Sequence, residues 1–96
     1  MVNFLRGNNA SYSNISATTA AFTLPSGLYG VTVTATFGGG SVTLQRLAAD
    51  GSTYVTCLTA FTAAGYATVN LPSGTYRFTI ATATAVYVDI AAIAEA

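Results

Sequence analysis

Three carboxylates, one thiol and no imidazole make up most of this chain's capacity for acid–base chemistry: Asp50, Asp89, Glu95 and Cys57. General acid–base catalysis needs a positioned His, Asp/Glu, Lys, Tyr or Cys with a shifted pKa, and the chain has neither histidine nor lysine. Asp50 precedes Gly51, a turn pair. Asp89 sits at an outward position of an alternating segment, and Glu95 is close to the end of the chain. Glycoside hydrolysis would need two of these carboxylates brought into one cleft, which is not expected. A serine nucleophile would lack a histidine base, and Ser26-Gly27 and Ser73-Gly74 read as turns. First-row metals lack imidazole and have a single thiolate. Calcium would want six or more oxygens, several of them carboxylates. Gly38-Gly39-Gly40 is followed by neither a helix nor a lysine, so it is not a phosphate loop. The expectation is a protein that is not an enzyme and uses no cofactor and no metal. Cys57, alone and set in Val55-Thr56-Cys57-Leu58 without a base or cation, reads as a small core hydrophobe.

What remains is contact chemistry. Tyr54, Tyr66 and Tyr87 fall at outward positions, while Tyr29 and Tyr76 fall inward. Outward aromatics stack on sugar rings or anchor protein interfaces, where tyrosine is enriched. Sugar sites add several polar or charged groups, which are scarce here, so the interface reading is preferred. Thr32, Thr34 and Thr36 form an outer ladder, echoed by Thr82-Ala83-Thr84. Ice-binding faces use such arrays, but threonine suits any pleated outer face. Asn9-Ala10-Ser11 and Asn14-Ile15-Ser16 match the glycosylation pattern. The opening residues hold no apolar h-region, so no signal peptide is expected and these matches read as accidental.

Charged residues are 6% of the chain and the formal net charge is zero, against about 25% charged in ordinary soluble domains. A surface this poor in charge lacks what keeps small domains apart. Much of it is therefore expected to be covered by other protein. Arg6, Arg46 and Arg77, far apart in sequence, make no phosphate-neutralising patch, which argues against nucleic acid. No run of 18 apolar residues suggests a membrane span.

The elements that must position these residues follow a period of two. In Tyr29–Phe37 the odd positions are Tyr, Val, Val, Ala and Phe, and the even ones Gly or Thr. That is a half-buried strand. Leu24-Pro25-Ser26-Gly27-Leu28-Tyr29 recurs as Leu71-Pro72-Ser73-Gly74-Thr75-Tyr76, an offset of 71 − 24 = 47. After the glycines the offset becomes 86 − 42 = 44, matching Val42 to Val86 and Leu44 to Val88. A Gly38-Gly39 hairpin would set Val33 beside Leu44. An Asp50-Gly51 turn pairs Ala49 with Ser52 and brings Leu44 opposite Cys57. A turn at Ala83 would pair Phe78 with Val88 and Arg77 with Asp89, an outer-face ion pair. The Thr62–Gly65 loop must cross between sheets.

Strands are thus expected near 20–24, 28–37, 41–47, 53–60, 66–71, 75–81 and 85–93, with residues 2–6 a possible eighth. The fold class is all-β: one single-domain, two-sheet β-sandwich of jelly-roll or Greek-key type, with about seven or eight antiparallel strands. Residues 1–19, Gly/Asn/Ser-rich and without a clean period, read as an N-terminal arm preceding a sandwich over 20–96. Its apolar tip, Val2, Phe4 and Leu5 with Arg6, suits either insertion into a neighbouring subunit or an edge strand of its own sheet. Together with Tyr54 and Tyr87 these are the candidate interface residues.

Four stretches carry a resemblance: Gly39-Gly40-Ser41-Val42-Thr43-Leu44-Gln45, Asp50-Gly51-Ser52-Thr53-Tyr54, Leu71-Pro72-Ser73-Gly74-Thr75-Tyr76-Arg77 and Ala85-Val86-Tyr87-Val88. Over Gly38–Ile93 the chain is similar to small β-sandwich decoration, or cement, proteins of tailed bacteriophages. The resemblance implies a structural virion protein, bound in many copies to the major capsid protein and to copies of itself as a dimer or trimer. It also implies manufacture in the host cytoplasm, residence on the capsid surface and no catalytic residues. The alternative is a carbohydrate- or receptor-binding module of a tail fibre or bacterial surface protein.

Overall fold

The computed structural model describes residues 9–95. Eight strands follow in order: β1 (Asn9–Ile15), β2 (Phe22–Leu24), β3 (Gly27–Thr36), β4 (Ser41–Leu47), β5 (Tyr54–Thr56), β6 (Gly65–Leu71), β7 (Gly74–Ala81) and β8 (Thr84–Glu95). They form two antiparallel sheets, β1-β8-β3-β6 (sheet A) and β2-β7-β4-β5 (sheet B). β1 pairs with β8, β2 with β7, β3 with β6 and β4 with β5. The first four strands therefore lie against the last four as one long hairpin. The β3–β8 and β4–β7 pairings roll it into two layers. This is a jelly roll, an architecture shared by viral capsid and lectin domains. It fixes the fold and leaves the function to the surface.

The sequence repeat is a pseudo-two-fold that exchanges the sheets. β2-β3-β4 lie in B, A and B; β6-β7-β8 lie in A, B and A. Adding 47 to Tyr29 and subtracting it from Val69 turns the pair Tyr29–Val69 into Tyr76–Phe22, and both pairs are present. Tyr29 and Tyr76 are fully buried, and each donates its hydroxyl to the carbonyl of the proline four residues earlier, Pro25 and Pro72. The two turns are thereby tied to the core in the same way. For the returning strands the alignment needs correction. Val31 pairs with Ile90 and Phe78 with Leu44, so Ile90 takes the place of Leu44, an offset of 90 − 44 = 46 rather than 44. The two-residue difference is even, so the same residues face inward.

The expected hairpins after β3 and β7 are corrected in the same way. The turn at Gly38 and Gly39 forms, both glycines with positive φ and the Gly40 amide bonded to the Phe37 carbonyl. The strands it joins then separate into different sheets. Val33 lies beside Val88, and Leu44 beside Phe78. Gly40 is required there, because a Cβ would strike the Ala81 carbonyl of the neighbouring β7–β8 turn. Arg77 and Asp89 consequently lie in opposite sheets and form no pair. Two expectations hold. The Asp50-Gly51 register is as derived, with Leu47 opposite Tyr54 and the Cys57 amide on the Leu44 carbonyl. The Thr62–Gly65 loop does cross from sheet B to sheet A. The strand expected over 53–60 is shorter, Tyr54–Thr56, followed by an isolated Val42–Phe61 bridge.

The core is the inner half of the alternation: Tyr29, Val31, Val33, Val86, Val88 and Ile90 from sheet A, against Val42, Leu44, Tyr76 and Phe78 from sheet B. Burying each large side chain contributes up to about 1.5–3 kcal/mol. Phe78 meets Phe22 at 5.7 Å and Tyr12 edge-on at 6.4 Å. Such aromatic pairs add about 0.5–1.5 kcal/mol each beyond area.

Within the expected arm, Asn9–Ile15 is ordered as strand β1, and Tyr12 packs it onto the core. Ala10 and Tyr12 point inward, Asn9, Ser11 and Ser13 outward, and the segment is an edge strand on β8. The aromatic cluster supplies what a polar strand lacks for order. Val2, Phe4, Leu5 and Arg6, with the strand expected at 2–6, lie outside the described residues. The chain then crosses to sheet B, where the Thr19 and Thr18 hydroxyls accept the Phe78 and Ile80 amides.

Candidate functional site

The outer face of sheet A is built from rows that run across the strands. In one row Ser11 opposes Asp89, Asp89 opposes Thr32, and Thr32 opposes Tyr66. In the next, Tyr87 opposes Thr34. Ser11, Tyr12, Ser13, Thr32, Thr34, Tyr87, Val88 and Asp89 line a groove of about 220 Å³. Tyr66 and Tyr87 are 62% and 50% exposed, unusually free for aromatic rings in so small a domain. They sit two strands and one row apart, roughly 12 Å between Cα atoms. Tyr66 lies over Gly30, where an added Cβ would come within 2.6 Å of its hydroxyl. Glycine at position 30 thus lets the ring lie on the sheet.

The half-buried Asp89 makes no hydrogen bond or ion pair with another described residue. Its carboxylate is acceptor-only, and the hydroxyls of Ser11 and Thr32 flank it. Among the described residues, the face therefore offers a carboxylate acceptor, four hydroxyls and two aromatic surfaces and no cation. It suits a neutral, hydroxyl-rich ligand with an apolar side.

Sheet B's outer face is closed upon itself. Arg77 stacks over the Tyr54 ring at 3.8 Å, and its Nε donates to Gln45 Oε1 at 3.0 Å. Tyr54 is thus half-covered by its own chain. Of the sequence-derived interface residues, Tyr54 and Tyr87 lie on opposite sheets and do not meet.

The remaining reactive groups are structural. Asp50 accepts the Ser52 and Thr53 amides at 2.9 Å and the Thr53 hydroxyl at 2.7 Å. These bonds, the Ser52 amide foremost, lower its pKa from 3.8 to about 2. Cys57 Sγ contacts the Leu44 carbonyl at 3.5 Å, and burial raises its pKa. Burial likewise raises the pKa of Tyr76, partly offset by Arg46. Arg46 reaches the Ser73 carbonyl at 3.0 Å and packs on Gly74, fastening the second Pro-Ser-Gly turn. Among the described residues no three His, Cys, Asp or Glu gather as metal ligands.

Asp89, Ser11 and Ser13 were not legible as site residues, because the sequence does not say that β1 and β3 flank β8. A weak signal was present: Asn9, Ser11 and Ser13 alternate with Ala10 and Tyr12.

No family model matches the chain, and no curated protein matches it. Among solved structures it is similar to a carbohydrate-binding module from Cellvibrio mixtus lichenase 5A, in complex with cellotriose. That similarity has a TM-score of 0.42 and 25% identity over 90% of this chain and 78% of that one.

Proposed function

We propose that this domain is a non-catalytic saccharide-binding module whose platform is the outer face of sheet A. The observation that carries the reading is the row Ser11–Asp89–Thr32–Tyr66 beside Tyr87: Asp89, without a partner among the described residues, lines a groove with Tyr87, and Tyr66 lies open at the far end of the row. Sugars present hydroxyl donors to such a carboxylate and C–H faces to such rings. The ring separation of roughly 12 Å favours an oligosaccharide over a single sugar. The three-carboxylate inventory, with Asp50 committed to its own turn, supports binding without cleavage. A glycan array, followed by gel retardation in the best-retained polysaccharide, tests the reading. Retention that is lost in Tyr87→Ala and weakened in Asp89→Asn is expected. A folded protein that retains no saccharide sinks the proposal.

A second reading, capsid decoration by binding a major capsid protein in many copies, is favoured by the charge-poor surface and by repetition as a source of avidity. Stoichiometric amounts of the chain in purified virions would support it, and absence from virions would end it.

A further inference from the structure

The two sheets have four edges, and three of them are blunted. β2 and β5 are three residues long, and the chain before β2 bonds onto β7 through Thr18 and Thr19. β1 is interrupted by a register shift between Tyr12 and Ile15, where Asn14 takes a φ of 55°. Short, bulged or covered edges are the usual protection against pairing with other chains. Among the described residues, β6 (Gly65–Leu71) has none of these protections. It pairs with β3 without interruption over seven residues, from Val33–Gly65 to Gly27–Leu71. It holds no proline and no charge, and no charged residue occurs between Asp50 and Arg77. Its inward residues Ala67 and Val69 are left half-buried, as an unfinished sheet edge requires.

We infer that β6 is a self-association edge, pairing antiparallel with β6 of a second copy across a two-fold axis. The occupant follows from the edge itself. A strand of this length centred on Thr68 is complementary to its own inverse, and its lack of charge removes the like-charge contact that a two-fold would otherwise impose. Thr68 then opposes Thr68 of the partner subunit, Tyr66 opposes the partner's Asn70, and Ala67 covers the partner's Val69. The result is one continuous eight-stranded sheet with both sheet A grooves on the same side. A contact of seven residues per copy lies at the weak end of specific interfaces, so the dimer depends on concentration. The inference is independent of what the groove binds.

Sedimentation equilibrium of the whole chain tests it, with the variants Thr68→Lys and Thr68→Cys. Thr68 is exposed on the outer face, so neither change touches the core. The parent is expected to dimerise with rising concentration, and Thr68→Lys to remain monomeric over the same range with an unchanged melting curve. Antiparallel partners place Cα atoms about 4.5–5.5 Å apart, within disulfide reach. Thr68→Cys is therefore expected to form a covalent dimer under mild oxidation, while the parent, with Cys57 alone, does not. A parent monomeric up to about 1 mM overturns the inference. So does a dimer that survives Thr68→Lys and fails to cross-link through Thr68→Cys.

Discussion

The two outer faces carry corresponding halves of the same repeat and engage their side chains in opposite ways. Position 30 in sheet A corresponds to position 77 in sheet B through the offset of 47. In sheet A it is glycine, and Tyr66 lies across it with most of its surface open. In sheet B it is arginine, which itself lies across Tyr54 and is held there by Gln45. Among the described residues, one face leaves Asp89 without a partner and its two tyrosines open; the other engages its tyrosine with its own arginine. An aromatic on a sheet is thus no evidence of a site until its neighbours are known.

The comparison can be broken at four points. The largest effect comes from the layer that both faces share. Phe78→Ala is expected to cost about 3–5 kcal/mol, a large part of a small domain's total stability, and to abolish both faces together. Chemical denaturation measures it, and a loss below about 1 kcal/mol would mean that the aromatic cluster does not hold the sheets.

Next come the open rings. Tyr66→Ala and Tyr87→Ala are each expected to weaken saccharide retention at least tenfold, about 1.4 kcal/mol, with little change in melting. Gly30→Ala should act through Tyr66 in the same direction, since the new methyl displaces the ring. Unaltered retention in all three would erase the functional difference between the faces.

Tyr54→Ala sharpens the contrast from the other side. It should leave saccharide retention unchanged and cost about 0.5–1 kcal/mol of stability, the worth of an exposed cation–π contact. A loss of saccharide binding instead would move the site to sheet B.

The smallest effect is the Asp50 turn. Its folded-state pKa lies below the ordinary 3.8, at about 2. Its contribution is therefore present above pH 3.8 and is lost as the pH falls through about 2. The melting advantage of the parent over Asp50→Ala should shrink to nothing across that window. An advantage that ignores pH would show that the ionised carboxylate does not hold the turn.

Particular residues show how far the sequence could be read. The Asp50-Gly51 register was legible because a short turn fixes the pairing locally, and Leu44 meets Cys57 as arithmetic requires. The Gly38-Gly39 turn was legible as a turn but misleading as a hairpin. Tyr12 was hidden in a polar segment, where one inward aromatic outweighs its hydrophilic neighbours by packing on Phe78. Arg77 and Asp89 were paired by a register that the fold never uses.

By itself the sequence determined the all-β class, the faces of the strands whose alternation is clean, such as β3 and β4, and the scarcity of groups able to do chemistry. Those depend on local backbone preference and on a side-chain period of two. Only the tertiary structure decided which strands are neighbours. A strand's partner is a non-local choice, made by filling one core from two sheets, and alternation is equally satisfied by a neighbour beside or a neighbour across. That choice set Asp89 between Ser11 and Thr32, brought Tyr66 and Tyr87 to one face, and left β6 open.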